Sequence, residues 1–173
     1  MKDLSFGNFN KNQNESRPYL SQQLIRTLNH KDQQVAHKIR TVFQASYAIE
    51  AKLLNAIDFP PLKRTLVEFL DSKNEFYGFY KGKNLAGVVE VKTETNNTHI
   101  QSLVVHPAYF RKGIGSALVQ FVLDNYNTNT FTVETGLANE PAKDLYYGFH
   151  FRKVREYNTE QGIRKIAFLM RRG

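Results

Sequence analysis

Residues 105–118 have the sequence VHPAYFRKGIGSAL, which is the most informative stretch of the chain. An apolar strand pattern ends at Val105, a loop with two glycines follows, and an amphipathic helix begins at Ile114. Such a junction gathers unbonded backbone N–H groups at the positive end of a helix dipole, where phosphate oxygens bind well. Gly113 and Gly115 lack a Cβ, so a ligand can approach the backbone closely. The stretch therefore predicts a phosphate-binding loop, with an ordinary start of a helix as the alternative.

The residues around the two glycines fit the same role. Arg111 and Lys112 add positive charge, and Ser116 can cap the helix or donate to a ligand. The spacing does not match a Walker loop, which needs four residues between its glycines and a lysine after the second. It does not match a dinucleotide-binding fold either, because the preceding strand belongs to a predicted antiparallel meander.

Hydropathy patterns on both sides of the loop predict a mixed sheet with helices on its two faces. The predicted strands lie at 24–28, 76–80, 85–91, 100–105, 131–135, 149–157 and 163–170. The predicted helices lie around 35–43, 48–57, 62–70, 114–122 and 141–147. The fold class is therefore α/β, in the sense of an α+β mixed sheet of about seven mostly antiparallel strands. We expect a flexible polar arm at residues 1–18 and a single domain at 19–173.

Composition excludes several classes of protein. The 173 residues contain no cysteine, which excludes a disulfide framework, a zinc–thiolate site and a cysteine nucleophile. There is no apolar run of the ~18 residues that a membrane span needs, and no secretory signal after Met1, so we expect a cytoplasmic protein. No cluster of His and carboxylates has metal-ligand spacing, so no metal is expected. The net charge of +8 attracts polyanions, including RNA and phosphorylated cofactors.

Two motifs resemble those of the GNAT superfamily of acyl-coenzyme A-dependent N-acyltransferases. The family's cofactor loop, Gln/Arg-x-x-Gly-x-Gly/Ala after a Val-x-Pro turn, is similar to residues 105–115. A second family motif, Asn-x-x-Ala-x-x-Phe/Leu-Tyr-x-x-x-Gly-Phe, is similar to residues 139–151. The chain departs from the family at Phe110, where Gln or Arg is usual, and at His150, where Gly is usual. If position 150 requires a positive φ, His is among the residues that tolerate it best.

This resemblance implies an N-acetyltransferase, with acetyl-coenzyme A as cosubstrate. The acetyl group would pass directly to a primary amine in a ternary complex. The implied cofactor-binding residues are Leu103, Val104, Val105, Arg111, Lys112, Gly113, Ile114, Gly115, Ser116, Asn139 and Ala142. Tyr146 matches the family position of the general acid, or of the group that stabilises the leaving thiolate. A packed aromatic residue is the alternative for Tyr146.

The base that takes the proton from the amine is less defined. His99 is the candidate base, because imidazole titrates near neutral pH. A solvent-exposed His99 without a catalytic role is the alternative. Glu90 and Glu134 could act instead through water.

The sequence leaves the acceptor open among small-molecule amines, polyamines, amino sugars and peptide N-termini. Tyr47, Glu50, Asp58 and Phe59 could line its pocket, where Glu50 or Asp58 would attract a cationic amine, or they could be ordinary surface and core residues. A non-catalytic module that binds coenzyme A or RNA is the alternative function. We do not expect nucleic acid as the main partner, because phosphate contacts alone do not need the motif at 139–146. A homodimer through an edge strand or the helical face is open.

Overall fold

The computed structural model describes residues 24–173. The arm predicted at residues 1–18 lies outside the described residues, and so do residues 19–23. Within residues 24–173, no helix is long and apolar enough to cross a membrane.

Residues 24–173 form one seven-stranded sheet with helices packed on it. The strands are β1 (Ile25–Thr27), β2 (Glu75–Lys81), β3 (Asn84–Glu94), β4 (Asn97–Val105), β5 (Thr130–Gly136), β6 (Arg152–Asn158) and β7 (Arg164–Arg171). The helices are α1 (Gln33–Leu53), α2 (Pro60–Lys63), α3 (Leu66–Leu70), α4 (Ile114–Asn125) and α5 (Glu140–Gly148), with a 3-10 turn at Pro107–Tyr109. The strand order is β1-β2-β3-β4-β5-β7-β6, and every neighbouring pair is antiparallel except β4 and β5. The predicted mixed, mostly antiparallel sheet is confirmed.

The first helix is longer than the sequence pattern indicates. Asp32 caps its N-terminus, where the Asp32 side chain accepts a hydrogen bond from the amide of Val35 at 3.0 Å. The segments predicted around 35–43 and 48–57 form one continuous helix, because no proline or glycine interrupts α1 before Leu53. The stretch at 62–70, by contrast, is divided into two short helices. A capping box between Thr65 and Glu68 starts α3 afresh there.

Two apolar cores lie on opposite faces of the sheet. One is formed with α4 and α5 and includes Ile114, Leu118 and Phe168. The other is formed with α1 and α3 and includes Ile39, Phe43 and Phe69. Because each face is covered by helices, a ligand must enter where strands separate or where a helix ends.

Candidate active site

Strands β4 and β5 separate part-way along their length. They are paired from Asn97 and Thr130 to Ile100 and Val133, and no pairing continues beyond these residues. The edge of β4 that faces β5 therefore has unpaired backbone groups over residues 101–105. An unpaired strand edge can bind an amide-bearing chain as an additional strand.

A β-bulge in β4 lies at the start of this separation. Val91 of β3 pairs with Ile100, but Glu90 pairs with Ser102, so Gln101 has no partner in the ladder. Because of the extra residue, Ile100 and Val104 face opposite cores, although regular alternation would place them on the same face. Gln101 and Ser102 both line the cavity described below. The sequence pattern does not reveal this bulge.

The loop after β4 has the conformation of an anion-binding site. Gly113 is the N-cap of α4 with φ of 75°, and Arg111 also has a positive φ of 59°. Among the described residues, no backbone carbonyl accepts from the amides of residues 111–116. A Cβ on Gly113 would have no heavy atom within 4 Å, so the face of the loop is open. The loop can therefore present several N–H groups to phosphate oxygens at the positive end of α4.

The second motif forms helix α5. Asn139 caps this helix and accepts from the amide of Ala142 at 3.2 Å, so its carbonyl oxygen has a structural role. His150, just after the helix, has φ of 64°, the positive value that His tolerates in place of Gly.

Tyr146 on α5 lines, together with residues of β4 and β5, the cavity described in the next paragraph. It is 3% exposed, and its ring packs edge-on to Phe151 with centroids 5.7 Å apart. Burial raises the pKa of Tyr146 above its ordinary value, and the nearby Tyr47 and Glu50 raise it further. The phenol is therefore protonated at neutral pH and able to donate a hydrogen bond. Among residues 24–173, no group hydrogen-bonds its hydroxyl.

A cavity of about 570 Å³ lies on the α1 side of the separated strands. Its lining comes from α1, the α2–α3 region, β4, β5, α5, β7 and the connection between β6 and β7, and it includes Phe43, Tyr47, Glu50, Arg64, Ser102, Thr135 and Tyr146. The end of α1 approaches β5 so closely that a Cβ on Gly136 would clash with the side chain of Leu54. Glycine at position 136 thus lets α1 form one wall of the cavity.

A buried ion pair supports the same wall. Both guanidinium nitrogens of Arg64 donate to the carboxylate of Glu90, at 2.7 and 3.0 Å, and Asn74 donates to it at 2.8 Å. The guanidinium group lies 4.1 Å from the centre of the Phe69 ring. Glu90 is fully buried and does not line the cavity, so its carboxylate has a structural role.

The structure does not bring His99 into the cavity. His99 is not among the lining residues, and its Nδ1 lies 2.8 Å from the hydroxyl of Thr132. Burial lowers the pKa of His99 below its ordinary value, although Glu134 opposes this shift. Glu134 does line the cavity, where it accepts a hydrogen bond from Tyr157 at 2.5 Å and lies 3.6 Å from the ammonium group of Lys165.

Three of the four residues considered for an acceptor pocket line this cavity. Tyr47, Glu50 and Phe59 do so, whereas Asp58 is exposed and forms an ion pair with Lys63 at 2.7 Å. Tyr47 and Glu50 continue the stripe of buried residues along α1. A polar residue at a helical position where apolar residues are expected is thus the feature of the sequence that could have indicated this pocket.

Comparisons with known proteins bear on the family and the fold of the chain. The acetyltransferase (GNAT) domain model matches residues 44–171. UPF0157 protein YqkA of Bacillus subtilis is 34% identical over 146 residues, and the match covers 84% of this chain but 43% of that protein. An N-alpha-acetyltransferase of Sulfolobus acidocaldarius is 30% identical over 98 residues, covering 54% of this chain and 55% of the relative. The chain thus spans about half the length of these curated relatives.

Solved structures share the fold at low sequence identity. The ribosomal-protein-S18-alanine N-acetyltransferase of Escherichia coli superposes with a TM-score of 0.67 and 18% identity, over 85% of this chain and 92% of that one. A Bacillus subtilis acetyltransferase in complex with CoA gives a TM-score of 0.61 and 18% identity, over 85% and 97%. With a family model that matches most of its length, the chain belongs to the GNAT acetyltransferase family.

Proposed function

We propose that this domain transfers an acetyl group from acetyl-coenzyme A to a primary amine by direct attack in a ternary complex. One observation carries the proposal: the unpaired edge of β4 connects a loop of free amides to the cavity lined by Tyr146. A long substrate with phosphates at one end and a thioester at the other fits such an arrangement. The cavity on the α1 side leaves room for a second substrate.

The residues that would hold acetyl-coenzyme A are those of the loop and the adjacent strand edge. The amides of residues 111–116 would bind pyrophosphate oxygens, with Arg111 and Lys112 adding positive charge. The open position beside Gly113 fits this role, because a side chain there would occupy the space in front of the amides. Residues 103–105 of β4 would pair with the amides of the pantetheine arm. A backbone N–H near Val105 would polarise the thioester carbonyl.

The reaction forms one bond to nitrogen and breaks one to sulfur. When bound, acetyl-coenzyme A supplies a thioester, whose carbonyl carbon accepts the electron pair of a neutral amine, while the C–S pair leaves on sulfur. The amine loses one proton before the attack and another as the amide forms, and the sulfur takes up one, so a net proton is released. Because its pKa is raised above that of a thiol (about 8.5), Tyr146 would donate a hydrogen bond to the sulfur and not transfer its proton fully. His99 has no part in this scheme, because it does not line the cavity.

Calorimetric titration of acetyl-coenzyme A into the purified protein tests the proposal, with inorganic phosphate and RNA as controls. We expect saturable binding near micromolar, and release of free thiol that requires an added primary amine. Acetyl-coenzyme A binding without thiol release from any amine of a broad panel would support a non-catalytic module. No acetyl-coenzyme A binding would contradict the proposal altogether.

A further inference from the structure

The cavity is lined by charged residues of both signs, and its cations are already paired. Lys63 contacts Asp58 at 2.7 Å, Arg64 contacts Glu90 at 2.7 Å, and Lys165 contacts Glu134 at 3.6 Å. Among the cavity-lining residues that the structure describes, these pairs leave no cation for Glu50 and Glu68. The cavity is therefore not built to neutralise an anionic acceptor.

Glu50 differs from the other carboxylates of the cavity in its lack of close partners. Among residues 24–173 it forms no ion pair, and its one hydrogen bond is a long one of 3.4 Å from the hydroxyl of Thr135. Glu68, which also lines the cavity, is engaged at the start of α3, where it accepts from the amide and hydroxyl of Thr65 at 2.6 and 2.8 Å. A carboxylate that is partly withdrawn from water and lacks a cation nearby attracts a cationic ligand strongly.

Glu50 also lies close to the reacting end of the site. It lines the same cavity as Tyr47 and Tyr146, and its charge raises the pKa values of both. It contacts Thr135 on β5, beyond the point at which β4 and β5 separate. A cation held by Glu50 would therefore sit beside the residue that we assign to the leaving sulfur.

One part of the nearby wall is aromatic and apolar. The Tyr47 ring packs edge-on between Phe43 and Phe59, with centroids 5.8 and 5.7 Å apart. Pro60 and Pro61 extend this surface. Aromatic rings and prolines bind an apolar body, and ring faces also attract ammonium groups.

We propose that Glu50 selects the acceptor, and that the acceptor is a primary ammonium ion carried on an apolar or aromatic body. This inference rests on the proposed function for its biological meaning. It favours alkylamines and arylalkylamines over amino sugars, because the rings and prolines of this part of the wall bind an apolar body. The inference assigns this role to Glu50 and not to Asp58, whose side chain is 52% exposed and already paired with Lys63.

Two probes of nearly the same shape test the inference by direct binding. Titration of 2-phenylethylamine, which is cationic at pH 7, is compared with titration of neutral 2-phenylethanol, each with and without saturating coenzyme A. We expect the wild-type protein to bind the amine about tenfold more tightly or better, as for a charge-assisted contact. Glu50→Gln keeps the shape of the side chain and should reduce this preference to less than about twofold. Glu68→Gln removes another negative charge from the same cavity and should retain it.

Each outcome bears on one of the two proposals. Equal binding of the two probes by the wild-type protein, no binding of either at millimolar concentration, or a preference that survives in Glu50→Gln would overturn the role of Glu50. The proposed function fails separately, if acetyl-coenzyme A does not bind, because the amine preference is measured without it as well. In turnover, Glu50→Gln should raise the KM for 2-phenylethylamine about tenfold while leaving the affinity for acetyl-coenzyme A unchanged.

Discussion

The two halves of the site are built from different parts of the chain. The proposed phosphate-binding loop at residues 111–116 is contiguous and would bind through backbone amides, whose direction depends on the conformation at Gly113. The proposed acceptor cavity is lined by residues of seven helices and strands, brought together by the sheet and by the approach of α1 to β5. A site made of backbone tolerates changes of side chain, such as Phe110 and His150, as long as φ is kept. A site made of side chains has no comparable motif.

The largest expected effect comes from changing the backbone of the loop. Gly113→Val places a β-branched residue at φ of 75°, which strains the loop, and its side chain occupies the space in front of the amides. We expect the affinity for acetyl-coenzyme A to fall by about a thousandfold or to be lost, as measured by calorimetric titration.

A second glycine provides the control for this variant. Gly82, in the turn between β2 and β3, has φ of 60° and also has no heavy atom within 4 Å of its Cβ position. Gly82→Val should cost a similar free energy of unfolding but leave the affinity for acetyl-coenzyme A within about twofold. If both variants lose affinity equally, the loss reflects general destabilisation, and the loop is not the binding site.

The ion pair behind the cavity wall should control stability more than binding of the cofactor. Arg64→Met leaves the Glu90 carboxylate buried with the Asn74 amide and a long contact to Ser72. We expect a loss of about 3 kcal/mol in the free energy of unfolding, measured with urea, because an unpaired buried charge remains. Adding Glu90→Gln should recover much of this loss, whereas simple additivity of the two substitutions would argue against a coupled pair.

Tyr146→Phe tests the link between the two halves. The substitution removes only the hydroxyl, so the packing against Phe151 is kept. We expect turnover to fall about a hundredfold with little change in the affinity for acetyl-coenzyme A, as for loss of a group that acts on the leaving sulfur. Tyr147→Phe, at the exposed neighbouring tyrosine, is the matched control and should be close to wild type. Unchanged turnover in Tyr146→Phe would show that Tyr146 has only a packing role.

The same contrast explains what the sequence could predict. The order of the strands and the loop glycines before the helix at 114 follow from local patterns, because each depends on neighbouring residues. The positive φ at His150 agrees with the resemblance, since the family usually has Gly at that position. The bulge at Gln101 shifts the register of β4 by one residue, and it depends on the pairing across the β3–β4 hairpin, which the hydropathy pattern of β4 alone does not show. Glu50 and Tyr146 are nearly a hundred residues apart, and they meet only because α1 packs against the end of β5. The cavity therefore could not be located before the fold was known.

A substitution of His99 has the smallest expected effect, and it distinguishes two roles for this residue, because a general base and a structural histidine respond differently to pH. Burial lowers its pKa in the folded protein, so the unfolded chain binds more protons as the pH falls below about 6.5. Its contribution to stability is thus present above this pH and is lost as the pH falls towards the lowered pKa. His99→Gln should make urea stability depend less on pH between 8 and 5, while Thr132→Val, which removes only the hydrogen-bond partner, should keep the dependence. Turnover of His99→Gln at pH 8 should stay within about threefold of wild type, since general-base loss costs at least a hundredfold. A hundredfold loss there would assign the base to His99 and require the acceptor amine to bind nearer to the paired ends of β4 and β5 than the cavity indicates.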